Sequence, residues 1–331
     1  MRSRLRLVAA ALAVLALGFA GWLAVFASRP LELPRTPYDF TVKSGASLRA
    51  VARTLAADGL LREAQSFWIL GRILGKDKAI QAGTYRLEAA ATPVELLEKL
   101  ARGDVVLVDL AFLEGTTFRQ WLALLARNAN VRQSLAGRAE TELRAVVGWP
   151  EGSPEGWFFP DTYRFAPGTA DAEILKRAHA AMRRRLAQAW EARAPDLPLA
   201  TPYEALILAS IVEKETGKPE ERDLVASVFV NRIRKGMRLQ TDPTVIYGMG
   251  EAFDGNIRKK DLLEDTPWNT YTRDGLPPTP IAMPGAASIA AATRPAKSEF
   301  LYFVGKGDGS HQFSRSLEEH NRAVAKYQLK K

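Results

Sequence analysis

The apolar positions begin as one unbroken block. From Leu7 to Phe26 no charged residue interrupts a run rich in Ala, Leu and Val, and a helix of that length reaches about 30 Å, the thickness of a bilayer's hydrocarbon core. The pattern therefore predicts a transmembrane helix over 7–26, with Trp22 near its outer interface. Pro30, Pro34 and Pro37 follow closely and predict an extended tether over 27–37, with folding starting near Tyr38. Beyond it a different pattern recurs: a short β-prone run, a turn, then an amphipathic helix. Asp39 to Val42 precedes a helix expected from Ser47 to about Ala57, Thr84 to Leu87 one from Thr92 to Ala101, and Val105 to Phe112, through the turn at Glu114-Gly115, one from Thr117 to about Arg127. Thr92-Pro93-Val94-Glu95 and Thr117-Phe118-Arg119-Gln120 have the form of capping boxes, in which hydroxyl and carboxylate or amide satisfy each other's backbone donors. The fold class that results is α+β: an N-terminal transmembrane helix followed by a mixed α+β scaffold.

Two later helices carry the charge and the chemistry. From Asp171 to Ala194 the charges recur at helical spacing, so Arg183-Arg184-Arg185 is read as a solvated face and His179 as a surface residue. Thr201-Pro202-Tyr203-Glu204 then reads as a capping box with proline at the first helical position, which gives Glu204 a structural role. The helix it opens is apolar nearly all round from Ala205 to Val212, hence buried, and Gly217 is expected to end it. Its last turn holds Glu213-Lys214-Glu215. The negative end of the helix dipole and burial both oppose ionisation of a carboxylate there, which suits a general acid. Glu213 extends the stripe of Leu206, Ala209 and Ser210, whereas Glu215 extends that of Leu208, Ile211 and Val212. Spacing does not choose between them, and a solvated helix end paired with Lys214 or Lys218 is the other reading of both.

Composition narrows the class. A length of 331 residues with 47% hydrophobic content allows two domains with substantial cores. Arginines ahead of the apolar block place residues 1–6 in the cytoplasm and the bulk of the chain across the membrane. Val25-Phe26-Ala27 resembles a signal-peptide cleavage site, but the apolar block exceeds a signal core of roughly 7 to 15 residues, so a retained anchor is expected. The chain has no cysteine, which excludes disulfides, a thiol nucleophile and cysteine metal sites. His311 and His320 lack companions at metal spacing, so no metal is expected. The net charge of +9 favours anionic surfaces, and no basic run with interleaved aromatics points to nucleic acid.

Phe40-Thr41-Val42-Lys43-Ser44-Gly45-Ala46-Ser47-Leu48, with Ala82-Gly83-Thr84-Tyr85, resembles the start and end of a LysM-type module, which implies a βααβ subdomain over 38–104 that binds the N-acetylated sugars of peptidoglycan, ahead of a mixed α+β domain over 105–331. Leu208-Ala209-Ser210-Ile211-Val212-Glu213-Lys214-Glu215-Thr216 resembles the signature of the YceG-like (MltG) endolytic murein transglycosylases. Met237 to Gly248, through Leu239-Gln240-Thr241-Asp242-Pro243-Thr244, follows as in that family, as do Asn269-Thr270-Tyr271, Gly275-Leu276-Pro277-Pro278 and Pro284-Gly285. So do Glu155-Gly156-Trp157-Phe158-Phe159-Pro160-Asp161-Thr162-Tyr163 and His311-Gln312-Phe313-Ser314 with His320-Asn321. Trp268 and Met283 depart from the residues usual at their places. The resemblance implies that Glu213 is the acid/base residue and that no cofactor is needed. It also implies that Gln240, Thr241, Asp242, Tyr247, Asn269, Thr270 and Tyr271 contact the glycan, although Thr241-Asp242-Pro243-Thr244 reads equally as a turn. Peptidoglycan glycan strands would be the substrate, an inner membrane the location, and peptidoglycan synthases candidate partners. A muramidase pairing Glu213 with Asp242, and a wall-binding scaffold without catalysis, are the competing classes.

Overall fold

A computed structural model describes residues 2–150 and 152–329, so Met1 of the expected cytoplasmic end lies outside the described residues. The chain divides into two compact units, Met1–Val108 with Arg164–Gly168, and Asp109–Tyr163 with Thr169–Lys331.

The first unit runs α1 (Arg2–Ser28), β1 (Tyr38–Val42), α2 (Leu48–Ala57), α3 (Ala64–Ile73), β2 (Gly83–Leu87) and α4 (Pro93–Arg102). Within α1, Ala10–Ser28 is long and apolar enough to cross a membrane. β1 and β2 pair antiparallel, Tyr38 opposite Leu87 and Val42 opposite Gly83. Alternation sends Tyr38, Phe40, Val42, Tyr85 and Leu87 to one side, where they meet Leu48, Leu55, Phe67, Leu97 and Leu100 of the three short helices. Ser47 caps α2 by accepting from the Ala50 amide at 3.3 Å. Thr92 and Glu95 complete the expected box on α4.

The expected tether is corrected here. Leu23 of α1 and Leu31 just beyond it are buried in this same core, and the Leu31 amide donates to the Ala91 carbonyl at 2.8 Å. Prolines exclude helix over 29–37, but an apolar side chain between them still has a core to enter, so this stretch is packed rather than free.

The chain then runs, in the second unit apart from Val108, Arg164 and Phe165 at two strand ends, through β3 (Val108–Ala111), α5 (Phe118–Arg127), β4 (Val131–Arg132), α6 (Glu140–Val147), β5 (Thr162–Phe165), β6 (Thr169–Ala170) and α7 (Asp171–Glu191). It continues with α8 (Pro202–Glu215), α9 (Arg222–Arg234), α10 (Asp242–Met249), α11 (Lys259–Leu263), α12 (Ala286–Thr293), β7 (Tyr302–Gly305), β8 (His311–Ser314) and α13 (Leu317–Tyr327). β4 pairs parallel with β6, and β7 antiparallel with β8. α8 is the central element. Every residue from Ala205 to Val212 is buried, packed among α7, α9 and α12, with Phe229, Leu239 and Ile281 in the same cluster.

Several local expectations meet a different outcome. Thr201 accepts from the Glu204 amide at 3.2 Å, but the Glu204 carboxylate reaches back to the Ala200 amide at 2.7 Å, one residue beyond the partner a reciprocal box requires. α8 ends because Thr216 turns extended, φ −136° and ψ 129°, its hydroxyl accepting from the Lys218 amide at 3.0 Å; Gly217 is not left-handed. His179 is buried, not on the surface. Its ring lies against Trp157 and Phe158, Nδ1 meets the Trp157 carbonyl at 3.0 Å, and burial lowers its pKa. The arginines 183–185 are exposed as expected, with Arg185 lying 4.0 Å from the ring centre of Phe159. Thr241-Asp242-Pro243-Thr244 starts α10, with proline in the first turn, rather than forming a free turn.

Candidate active site

The last turn of α8 sends its two glutamates to different places. The Glu213 Oε2 accepts from the Gly285 amide at 2.9 Å, and its Oε1 faces Arg222 at 3.8 Å. With 7% of the side chain exposed, the carboxylate sits behind the Glu114-Gly115 turn rather than in open water. A Cβ placed on Gly115 would touch Glu213 Cγ at 3.7 Å, and Lys214 Nζ donates to the Gly115 carbonyl at 3.2 Å. Glu215 points the other way and accepts from the Thr241 hydroxyl. Burial, reinforced by Asp242 and opposed chiefly by the Thr241 hydrogen bond, pushes its pKa up to about 7.

Two cavities flank this turn. The larger, 760 Å³, is lined by Gly115, Lys214, Glu155, Tyr247, Trp268 and Ile281 among others. Tyr247 and Trp268 meet edge to face, ring centres 5.5 Å apart, and the indole N–H donates to the Thr279 hydroxyl at 2.9 Å. Buried Glu155 joins two walls of this cavity, accepting from the Phe118 amide at 2.9 Å and the Tyr247 hydroxyl at 3.1 Å. Loss of hydration raises its pKa to about 7, against the pull of those two donors. The second cavity, 460 Å³, is lined by Glu215, Arg232, Gln240, Asp242, Tyr271 and His320 among others. Tyr271 donates to Asp242 at 2.5 Å, and Arg232 is fixed by the carbonyls of Leu301 and Leu239, each at 2.7 Å.

The seven residues expected to contact substrate separate into two groups. Gln240, Asp242 and Tyr271 line the smaller cavity, and Tyr247 lines the larger. Thr241, Asn269 and Thr270 are buried and spent on the frame. Asn269 Nδ2 donates to the carbonyls of Asp261, Leu262 and Glu264 at 3.3, 3.2 and 2.6 Å, while its Oδ1 accepts from the Tyr271 amide at 2.8 Å. Thr270 Oγ1 accepts from the Thr241 amide at 3.1 Å and meets Thr244 Oγ1 at 2.9 Å. These bonds hold the start of α10 against the loop that presents Tyr271. Gln240 alone among the described non-glycine residues has positive φ, at 48°, a conformation that costs about 1 kcal/mol for an L-residue and aims its exposed side chain over the cavity. Glu155 and Glu114 are site residues that sequence reasoning did not single out. An acidic residue inside the aromatic stretch around Trp157 was the available signal for the first.

Fold and site define an α+β protein whose buried central helix ends in paired glutamates between two open cavities. A model of the YceG-like family matches residues 40–326, and the chain belongs to that family. It is similar to the endolytic murein transglycosylase of Bacillus subtilis strain 168, 30% identical over 310 residues, 88% of this chain and 85% of that relative. The endolytic murein transglycosylase of Streptococcus pneumoniae strain D39 is 28% identical over 320 residues, 86% of this chain and 57% of the relative's length. The crystal structure of a YceG-like protein from Listeria monocytogenes matches with a TM-score of 0.55 and 28% identity, covering 87% of this chain and 100% of that one.

Proposed function

We propose that this chain is an endolytic peptidoglycan lytic transglycosylase in which Glu213 serves as acid and then as base. The observation that carries this reading is the position of Glu213. A largely covered carboxylate, anchored by one backbone N–H, stands at the helix end between two cavities, one with aromatic faces and one with polar groups. Sugar sites combine those two kinds of surface; Glu213 itself lines neither cavity, but its neighbours do, Lys214 the aromatic one and Glu215 the polar one.

Glu213 donates its proton to the glycosidic oxygen between N-acetylmuramic acid and N-acetylglucosamine as the C1–O bond breaks. The muramic 6-hydroxyl attacks C1 from within the same sugar, and its proton passes to the Glu213 carboxylate. The product is a 1,6-anhydroMurNAc end, with no net use of water and the residue restored. Intramolecular attack provides the proximity that a second carboxylate and a bound water provide in ordinary glycosidases. Cleavage of nascent strands in this way terminates their elongation.

The α1 helix is, on this reading, a retained single-pass anchor in the inner membrane with the bulk of the chain on the periplasmic side, where peptidoglycan synthases would be its neighbours. The βααβ order and antiparallel β1–β2 pair support a LysM-like role for the subdomain in holding N-acetylated sugars.

Mass spectrometry of purified glycan strands after digestion tests the proposal. Wild-type enzyme is expected to yield anhydro ends, and Glu213→Gln none, with its melting temperature unchanged. Reducing ends would make the enzyme a hydrolase, and an active Glu213→Gln beside an inactive Glu215→Gln would move the role to Glu215.

A further inference from the structure

The turn between β3 and α5 brings a second carboxylate to Glu213. Two backbone bonds clamp that turn to the segment before α12: the Gly115 amide to the Met283 carbonyl at 2.9 Å, and the Met283 amide to the Thr116 carbonyl at 2.8 Å. The Thr116 hydroxyl closes the turn on the Leu113 carbonyl at 2.6 Å. So fixed, Glu114 lays its carboxylate in the space where a Cβ on Gly285 would stand. The amide of that same Gly285 is the donor to Glu213. One glycine therefore has one carboxylate against its Cα and another on its N–H.

Arg222 at the start of α9 faces Glu213, and Lys214 Nζ is engaged by the Gly115 carbonyl. The Glu114 carboxyl is raised above the usual range by burial first and by the charge of Glu213 second, with Arg222 acting against both. Two carboxylates on opposite sides of one glycine repel when both are ionised, and a single nearby guanidinium does not neutralise two negative charges.

We infer that Glu114 is the proton partner of Glu213, a positioning residue with which the acid shares one proton in the resting enzyme. The inference rests on the reading of Glu213 as the acid. Glu114 forms no bond to sugar. When the shared proton lies on Glu213, the negative charge left on Glu114 opposes its loss to water until the glycosidic oxygen takes it, and the proton recovered from the 6-hydroxyl restores the pair. Over one turnover the proton count of the two carboxyls is unchanged.

The pH profile of kcat/KM on purified glycan strands, measured with the full-length protein, reads this out. In Glu114→Gln the neighbouring charge is gone, so the alkaline limb is expected to move down by roughly one pH unit, a loss of about tenfold at pH 8. Gly285→Ala retains both carboxylates but pushes Glu114 aside, since φ −79° at Gly285 admits alanine and the obstacle is the end of a flexible side chain. It is expected to move the limb in the same direction. An unmoved limb in both variants, whatever their absolute rates, overturns the inference. If Glu213→Gln is inactive in the same assay, only the role of Glu114 falls; if it is active, the reading of Glu213 falls with it.

Discussion

Replacing Glu215 by glutamine is expected to stabilise the protein at alkaline pH and leave it unchanged in acid. The buried carboxyl is raised from 4.5 to about 7. Between those values the native state binds more protons than the unfolded chain, so stability falls as pH rises. The favourable contribution is full below about pH 4.5 and is lost as pH climbs through about 7. At 1.36 kcal/mol per unit, ionisation of Glu215 costs about 3 kcal/mol by pH 8.5. Glutamine stays neutral throughout, and its amide oxygen still accepts from the Thr241 hydroxyl. The variant should therefore match wild type at pH 4.5 and exceed it by about 3 kcal/mol at pH 8.5. For a unit of this size that is roughly 6 to 12 °C in melting temperature, readable by thermal scans of the full-length protein in detergent. Melting curves whose pH dependence is parallel in the two proteins would refute the reasoning. Strand cleavage should survive the substitution, since Glu213 is untouched.

Glu155→Gln is expected to flatten the remaining pH dependence over the same window, because burial raises that carboxyl to about 7 as well; thermal scans of the double variant should show nearly additive gains. Asn269→Ala removes three donor contacts to backbone carbonyls and should cost about 3 kcal/mol of stability, seen in denaturant titration, while KM of the surviving enzyme stays near wild type. Trp268→Ala removes an aromatic wall of the larger cavity and should raise KM for glycan strands about fivefold, roughly 1 kcal/mol, with kcat little changed; an unchanged KM would place the strand elsewhere.

What could be read from the chain was what neighbours in sequence decide. The caps at Thr92 and Thr117 close within four residues, and both stand where their spacing predicts them. The buried character of α8 follows from an apolar run with no polar face. Long-range contacts decided the rest. Nothing near His179 announces that Trp157 and Phe158 will cover it, and a Thr-Asp-Pro-Thr stretch opens α10 because Thr270, far along the chain, fixes its backbone. The same distance hid Glu114: its partner at Gly285 is brought in by backbone bonds through Met283, which no periodicity encodes. Asn269 and Thr270 belong to a sugar-binding signature by resemblance, yet the fold spends them beneath the surface, holding up Tyr271.

Leu31 seated beside Leu23 means that α1 and the βααβ subdomain share one socket. On the proposed topology, the module cannot drift from the bilayer at the end of a leash; its height above the lipid is set by where the helix stops. Lengthening the proline stretch would then add slack only after prising Leu31 from its seat, so reach and folding of this unit are bound to the same side chain.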